Sequence, residues 1–278
     1  MLSSFREVTY PNYEIIIVDN GSPTEKPDSI KERYPEINLI VSKENLGFAG
    51  GNNLGIKQAK GKYLLMLNND TEVEPDFLDS LVDLMESDSK IGIVSPKIYF
   101  YYEDNVIQYA GCSKMNPITS RAFFRGYHQK DDGKYNEVIE THAPHGACMM
   151  FRNSLVEEIG LFYEGYFLYY EEFDFAARVK NHGLKIYCQP NSIIQHKESV
   201  STGKSSPLKT YYLNRNRVLY IRRNTKGINF VLAIAYFYLI AFTKNFLKYL
   251  LKRKHLYALF SGLFWHLTHT NIYSNNQK

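Results

Sequence analysis

The feature that most constrains this chain is a pair of apolar runs, each of which leads to an aspartate at a turn. The first run, residues 14–19, ends at Asp19, and the second, residues 63–67, is followed by two asparagines and Asp70. Short runs without polar alternation are typical of strands that are buried on both faces of a parallel sheet. Ligands of such sheets bind beyond the carboxyl ends of the strands, where both aspartates fall.

Helical patterns alternate with these strands along the first third of the chain. Helices are indicated at residues 28–34 and 76–86, and further strands at 37–41 and 91–95. This alternation predicts an α/β fold with an open, mostly parallel sheet and helices on both faces. Turn residues multiply between 97 and 142, where we expect a partly irregular insertion that shapes a substrate site.

Charge is distributed unevenly between the two ends of the chain. All 29 acidic residues lie within residues 1–198, whereas residues 199–278 contain basic residues and no acid. The same tail is rich in Leu, Ile, Phe and Tyr. Nucleic acid would explain the charge but not the apolar runs, whereas an anionic membrane surface explains both, so we expect no nucleic-acid partner.

Within the tail, residues 227–243 carry no charge and are mostly large and apolar. At 1.5 Å per residue this run reaches roughly 25 Å, less than the ~30 Å hydrocarbon core of a bilayer. A strained span, a re-entrant helix and an interfacial helix all remain open. We predict a catalytic domain at 1–206 and a helical, membrane-associating tail at 207–278. The alternative is a helical hairpin packed on the catalytic domain with its lysines facing water.

Three cysteines, Cys112, Cys148 and Cys188, lie far apart and lack any metal-binding spacing. The spacing predicts free thiols in a reducing compartment. Together with the tail, this places the expected location at the cytoplasmic side of the cell membrane.

Two carboxylates and a histidine are candidate ligands. Asp70 can hold a divalent cation that neutralises a diphosphate, although the sequence around it also suits a turn or a helix cap. Asp19 can accept hydrogen bonds from a base or ribose, or close an Asx turn. His196, after the short apolar run at residues 192–194, is a candidate for metal or phosphate binding, with a structural role as the alternative.

A glycine-rich segment, NLGFAGGNNLG, occupies residues 45–55 and opens a predicted helix. Three glycines within five residues let the backbone approach a ligand closely. The segment matches neither the dinucleotide-binding GxGxxG pattern nor a Walker A loop. A plain glycine-rich turn is the alternative.

Three acids, Glu171, Glu172 and Asp174, follow an aromatic run at 166–170. Neighbouring acids and apolar surroundings raise the pKa of a carboxylate, which suits a general base near neutral pH. The same acids would be favourable in the first turn of a helix, and the two roles are compatible.

In this order, these segments resemble the inverting family 2 glycosyltransferases with the GT-A fold, particularly the rhamnosyltransferase-like branch. The resemblance covers roughly residues 2–225. It rests on YPNYEIIIVDNGS (10–22), GFAGGNN (47–53), NND (68–70) at the position of the DxD motif, GACMMFR (146–152), GLF (160–162) and FLYYEEFDFAAR (167–178).

The resemblance implies a dTDP- or UDP-linked nucleotide-sugar donor and a lipid-linked saccharide acceptor in surface polysaccharide synthesis. Asp70, completed by His196, would bind Mg²⁺ or Mn²⁺ at the donor diphosphate, and Asp19 would contact the nucleoside. The remaining donor-site residues would be Asn45, Gly47, Asn52, Asn68 and Gly146. Glu172 would be the catalytic base, and Glu171 and Asp174 would position that base or the acceptor.

The sequence departs from the family pattern at three points. Asn68 replaces the first acid of the DxD motif, and Glu172 stands where aspartate is usual. Family members also begin with a central strand upstream of the YPNYE segment, which we expect to be missing here. Its loss would leave two neighbouring strands with unpaired backbone. A truncated, non-catalytic remnant that docks on a membrane or a partner is therefore the alternative function, and a nucleotidyltransferase is a third.

Overall fold

Strands and helices alternate along the parts of the chain that the computed structural model describes, which are residues 1–23, 27–197 and 205–272. The strands are β1 (Ile16–Asp19), β2 (Asn38–Val41), β3 (Tyr63–Leu67), β4 (Thr71–Val73), β5 (Ile91–Phe100), β6 (Val106–Tyr109), β7 (Gln129–Lys130), β8 (Ile139–Thr141), β9 (Cys148–Arg152) and β10 (Lys185–His196). The helices are α1 (Leu2–Phe5), α2 (Pro27–Arg33), α3 (Gly47–Ile56), α4 (Phe77–Ser87), α5 (Ser154–Ile159), α6 (Glu171–Asn181), α7 (Pro207–Asn224), α8 (Gly227–Tyr236), α9 (Thr243–Tyr249) and α10 (Arg253–Thr268).

The strands form two separate sheets. β1 pairs in parallel with β2, and the larger sheet has the order β3-β9-β5-β10-β4, with β6, β7 and β8 attached to it. Among the described residues only the β1–β2 and β5–β10 pairings are parallel. The sheet is therefore mixed, and the prediction of a mostly parallel sheet is wrong. An apolar run does not reveal the direction of pairing, because a central strand is buried on both faces whether its neighbours are parallel or antiparallel. β5, for example, is buried along nearly its whole length, although β9 and β6 pair with it in antiparallel orientation.

The first strand is less buried than its apolar sequence predicts. All four residues of β1 are only half-buried. Within the described ranges, β1 pairs with β2 alone and β3 with β9 alone. Each of these two strands thus has one edge whose backbone groups lack a strand partner. The expectation that a central strand is missing remains a prediction.

The core that positions the candidate site lies around β5 and β10, against which α4 and α6 both pack. Phe77, Leu81 and Met85 of α4 are fully buried there. On α6, the ring of Phe175 lies 4.5 Å from that of Phe162 between centroids. This aromatic packing fixes α6, at whose start the predicted acids lie.

Asp174 joins α6 to α7. Its carboxylate is 1% exposed and accepts hydrogen bonds from Arg178 on α6 and from Arg223 and Asn224 on α7. Burial alone would raise the pKa of Asp174, but the arginines hold it below its ordinary value. Because both oxygens are engaged, we infer that Asp174 holds the two helices together, and we no longer assign it a contact with the acceptor.

The helix that contains the apolar tail run extends beyond that run. Gly227–Tyr249 forms one continuous helix of 23 residues, with a π-helical stretch at Phe237–Phe242, and little of it is covered by the protein. At 1.5 Å per residue it reaches ~35 Å, enough to cross a hydrocarbon core. α10 returns from its end and packs against α7.

Candidate active site

A carboxylate and an imidazole meet at the ends of two strands. Asp70 follows β3, and the antiparallel pairing of β4 with β10 places Thr71 opposite His196. Asp70 Oδ1 lies 3.2 Å from His196 Nε2, yet it has no well-formed hydrogen bond among the described residues. Burial by itself would raise the pKa of Asp70, but His196 and Lys197 hold it below its ordinary value. The carboxylate is therefore ionised at neutral pH.

Gln108 of β6 orients the ring of His196. Its Oε1 lies 2.8 Å from His196 Nδ1, so Nδ1–H donates to the amide and the ring is held with Nε2 towards the Asp70 carboxylate. A histidine whose second nitrogen is held in this way is arranged as a metal ligand usually is.

These two side chains fit a divalent cation. Asp70 supplies a buried oxygen without a hydrogen bond, and His196 supplies an oriented nitrogen. In the described ranges, no cluster of three or more His, Cys, Asp or Glu side chains forms a closed metal site. A cation held by two protein ligands would therefore complete its coordination with substrate oxygens and water, as is common for Mg²⁺.

His145 lies beside this pair and was missed in the sequence. Its ring centroid is 5.9 Å from that of His196, and its Nδ1 accepts a hydrogen bond from the Ala147 amide. Burial lowers the pKa of His145 to about 3, so the ring is neutral. Gly146 follows it, and a Cβ at Gly146 would be 3.8 Å from the ring of Phe48 on α3. The predicted donor-site residue Gly146 thus lies between the histidines and the glycine-rich helix.

The turn after β1 and the start of α3 are joined by Asn20. Its Nδ2 donates to Gly47 O at 2.8 Å, and its Oδ1 accepts from Leu46 N at 3.0 Å. Asn45 Oδ1 accepts from Gly47 N at 2.8 Å, while Asp19 Oδ1 accepts from Ser22 N at 3.0 Å in the Asx turn considered above. The predicted residues Asp19, Asn45 and Gly47 are thereby brought together.

The two asparagines of the glycine-rich helix have different environments. Asn52, predicted to contact the donor, is half-buried and donates to Phe48 O within α3. Asn53 is fully buried and binds both the carbonyl oxygen and the amide of Phe162. Asn53 therefore fixes α3 to the segment that leads to the predicted base. Asn68, also predicted for the donor site, is half-buried, and its backbone N–H donates to the carbonyl oxygen of Ala147, just before β9.

The segment before α6, residues 164–170 (the base loop), has a strained backbone. Phe167, Tyr169 and Tyr170 have φ values of 63°, 69° and 77°, in the left-handed region that such residues rarely adopt. Strain of this kind persists only where surrounding contacts hold it. Asn216 and Arg215 of α7 supply those contacts.

Four backbone oxygens of the base loop accept hydrogen bonds from α7. Arg215 donates to Gly165 O and Tyr166 O, both at 2.6 Å, and Asn216 donates to Leu168 O and Tyr169 O at 2.6 and 2.8 Å. Neither side chain stood out in the sequence, because each was embedded in the basic tail. We propose that the catalytic domain extends through α7 to Asn224, beyond the predicted boundary at 206.

Glu171 and Glu172 begin α6 directly after this loop. Glu171 is 4% exposed, and burial raises its pKa well above the usual range. Glu172 stays partly accessible, and burial raises its pKa to about 7. The raised pKa of Glu171 favours its uncharged form, which reduces the repulsion that Glu172 meets when it loses its proton.

Residues 1–160 of this chain match the sequence model of glycosyl transferase family 2. The chain belongs to that family. It is 30% identical over 213 residues to the low-salt glycan biosynthesis hexosyltransferase Agl10 of Haloferax volcanii, a match that covers 74% of this chain and 66% of that relative. It is 24% identical over 225 residues to the N-acetylglucosaminyl-diphospho-decaprenol L-rhamnosyltransferase of Mycobacterium tuberculosis, covering 73% and 72% of the two chains.

Among solved structures, GalNAc-T7 with UDP, GalNAc and Mn²⁺ superposes on this family 2 chain with a TM-score of 0.63 at 19% identity. The superposition covers 80% of this chain and 45% of that one. The GT-A fold inferred from the sequence motifs is thus confirmed. The roles of individual site residues remain predictions.

Gly47 offers a test of how the base loop meets the glycine-rich helix. Its φ is +70°, and a Cβ would lie 2.3 Å from Phe167 O. We expect Gly47→Ala to displace Phe167, to destabilise the fold and to weaken UDP binding. Gly183→Ala is the matched control, because Gly183 has φ +85° with nothing within 4 Å; the left-handed backbone alone should cost it ~1–2 kcal/mol. Urea unfolding and UDP calorimetry that give equal losses for both variants would contradict a specific contact.

Proposed function

We propose that this chain is a metal-dependent inverting glycosyltransferase that moves a sugar from a dTDP- or UDP-linked donor to a lipid-linked saccharide acceptor in surface polysaccharide synthesis. The observation that carries the proposal is Glu172, a partly accessible carboxylate with a pKa of about 7 at the start of α6. In a family 2 chain with a GT-A fold, such a group suits the base of a displacement near neutral pH.

The relatives support the substrate classes. One is named as a hexosyltransferase of glycan biosynthesis, and the name of another specifies a diphospho-decaprenol-linked sugar. GalNAc-T7 was solved with UDP and Mn²⁺. These names are consistent with a nucleotide-sugar donor, a divalent cation and a lipid-linked acceptor for this chain.

In the proposed reaction, Glu172 removes the proton from the acceptor hydroxyl while the hydroxyl oxygen attacks the anomeric carbon of the donor. Attack opposite the departing nucleoside diphosphate inverts that carbon in one step. Glu171 remains protonated beside the base and leaves the negative charge to Glu172. Asn216, through the base loop, holds the start of α6 in place.

Asp70 and His196 would hold Mg²⁺ or Mn²⁺, which when bound supplies the positive charge that stabilises the diphosphate leaving group. Gln108 keeps Nε2 of His196 available for that role. Asp19, Asn45 and Gly47 form the proposed nucleoside end of the donor site, and Asn52, Asn68 and Gly146 complete its lining.

The unpaired edges of β1 and β3 favour one alternative, a non-catalytic remnant that docks on a membrane or a partner. Backbone groups left without strand partners weaken a sheet. Such a remnant would keep the tail surface but would release no nucleoside diphosphate from any nucleotide-sugar, with or without metal.

Replacing the proposed base tests the reaction. Glu172→Gln should lower the rate of sugar transfer by about 10²–10⁴-fold and leave donor binding intact. In the unsubstituted chain the rate should rise with pH through about 7 as Glu172 loses its proton, and the variant should lack that rise. Glu157→Gln, an exposed glutamate of α5, is the matched control. A Glu172→Gln variant with ordinary turnover would remove Glu172 from this role.

The metal assignment is tested by donor-product binding. Mn²⁺ should strengthen the calorimetric affinity of the chain for UDP or dTDP, and Asp70→Ala should abolish that gain while metal-free binding stays unchanged. Asp83→Ala, on the exposed side of α4, controls for loss of a surface charge. An equal metal effect in the Asp70 variant would show that the cation is held elsewhere.

We also propose that the tail associates with the cytoplasmic side of the cell membrane. Several large apolar side chains of the tail face outward: Leu239, Leu247, Leu251, Phe264 and Leu267 are 63–94% exposed. An apolar surface of this kind beside many cations is typical of a membrane-associating helix pair.

Two leucines test the membrane contact without removing α10, which packs on α7. Leu239→Asn with Leu251→Asn should weaken co-sedimentation with anionic vesicles at least about 10-fold, because burying each leucine contributes roughly 1.5–3 kcal/mol. Val41→Asn with Val138→Asn, two exposed valines outside the tail, should have no effect. Unchanged sedimentation of the leucine variant would place the contact on another surface.

A further inference from the structure

A basic cavity of about 420 Å³ lies between the start of α6 and the tail helices α7 and α9. Its lining includes four cationic side chains, Arg121, Lys209, Arg217 and Lys248, and no acidic residue among the described residues. A volume of this size accommodates a small ligand or the polar part of a larger one. The cavity was not recognisable in the sequence, since its cations come from three separate segments.

The four cations lack anionic partners within the part of the chain that the structure describes. In the described ranges, none of them has a carboxylate oxygen within ion-pair distance, although eleven such pairs occur elsewhere in the protein. Arg217 is 4% exposed and donates through Nε to Thr119 O, so its guanidinium is fixed at the cavity wall. Like charges held together repel one another, and a bound anion relieves that repulsion. Arginine and lysine together are typical of phosphate sites.

The location of the cavity links the proposed base to the membrane surface. Tyr170 lines the cavity and immediately precedes Glu171 and Glu172. Lys248 and Tyr249 line its other side, next to Leu247, which is 64% exposed. An anion in the cavity would therefore lie between the base and the exposed apolar face of the tail.

The cavity is distinct from the proposed donor site. Neither the Asp70–His196 pair nor any predicted nucleotide-binding residue lines it. The negative charge of the donor diphosphate is already balanced, in the function proposed above, by the divalent cation at Asp70 and His196. A second anionic group, on the acceptor side of Glu172, could be neutralised by the cations of this cavity.

We propose that the basic cavity binds the diphosphate that joins the acceptor sugar to its lipid. The assignment rests on the transferase function proposed above and specifies the acceptor as a lipid-borne phosphoester. The lipid chain lies along the exposed apolar residues of the tail, and the sugar extends past Tyr170 to Glu172. Cations from α7 and α9 thus select the charged linkage, whichever sugar it carries.

The experiment measures binding without any transfer reaction. The full chain, in neutral detergent with EDTA and no nucleotide-sugar, is titrated by calorimetry with geranyl diphosphate, a short lipid diphosphate. Geraniol and inorganic pyrophosphate test the contributions of the charge and the chain. Because neither donor nor metal is present, a chain that failed to transfer sugar would still report on the cavity.

Matched charge variants locate the binding. Lys209→Gln with Lys248→Gln should weaken geranyl diphosphate binding about 10- to 100-fold, as expected for the loss of two hydrogen bonds of ordinary net strength at partly solvated side chains. Lys252→Gln with Lys254→Gln removes the same charge from exposed positions of the tail outside the cavity and should change binding by less than about 3-fold. Circular dichroism checks that both pairs of variants fold. Equal weakening in the two pairs, or no weakening in the cavity pair, would overturn the proposal.

A second titration separates the acceptor linkage from an ordinary phospholipid. Dihexanoyl phosphatidylglycerol presents one phosphodiester charge, whereas geranyl diphosphate presents at least two. The cavity should bind the diphosphate more tightly, and the phosphatidylglycerol should not displace it at equal concentration. Displacement would assign the cavity to the headgroups of the bilayer and overturn the acceptor assignment.

Discussion

The hydrogen bonds from Arg215 and Asn216 to the base loop are the interaction on which the candidate site depends. Three residues of that loop occupy left-handed backbone, which costs on the order of 1–2 kcal/mol each for residues other than glycine. Donors from a neighbouring helix offset that cost by binding the oxygens that the twisted loop exposes. The direction in which α6 leaves the loop, and therefore the location of Glu172, follows from this contact.

The helix that supplies these donors, α7, also connects the site to the tail. α7 binds the base loop at its middle and Asp174 at its end, while α10 packs along it. The ring of Phe167 stacks on that of Tyr212 with centroids 5.0 Å apart, and its carbonyl oxygen accepts the amide proton of Phe48. One residue of the base loop therefore touches both the glycine-rich helix and α7, the helix that leads to the tail.

Local patterns predicted local structure well, and long-range pairing poorly. β3 begins and ends at the predicted residues because its apolar run is bounded by a glycine turn and two asparagines. The twelve-residue β10 was missed, since Pro190 and polar neighbours interrupt it, and its pairing with β5 shifts register there. Asn20, Asn53 and Asn216 bind backbone atoms at least 26 residues away, and no sequence pattern shows such partners. The closeness of Asp70 and His196 likewise depends on the pairing of β4 with β10. The resemblance in motif order implied that these two residues meet, but their spacing in the sequence could not show it.

All three cysteines are buried and unpaired, as their spacing predicted. Burial raises the pKa of Cys112 and Cys188 to about 12 and that of Cys148 further still, so few thiolates form near neutral pH. Since the thiolate is the reactive form, these side chains are slow to alkylate in the folded protein. A single cysteine introduced at an exposed tail position such as Leu251 would be labelled almost alone. The chain thus accepts a fluorescent or spin probe of the tail's surroundings without prior removal of its native thiols.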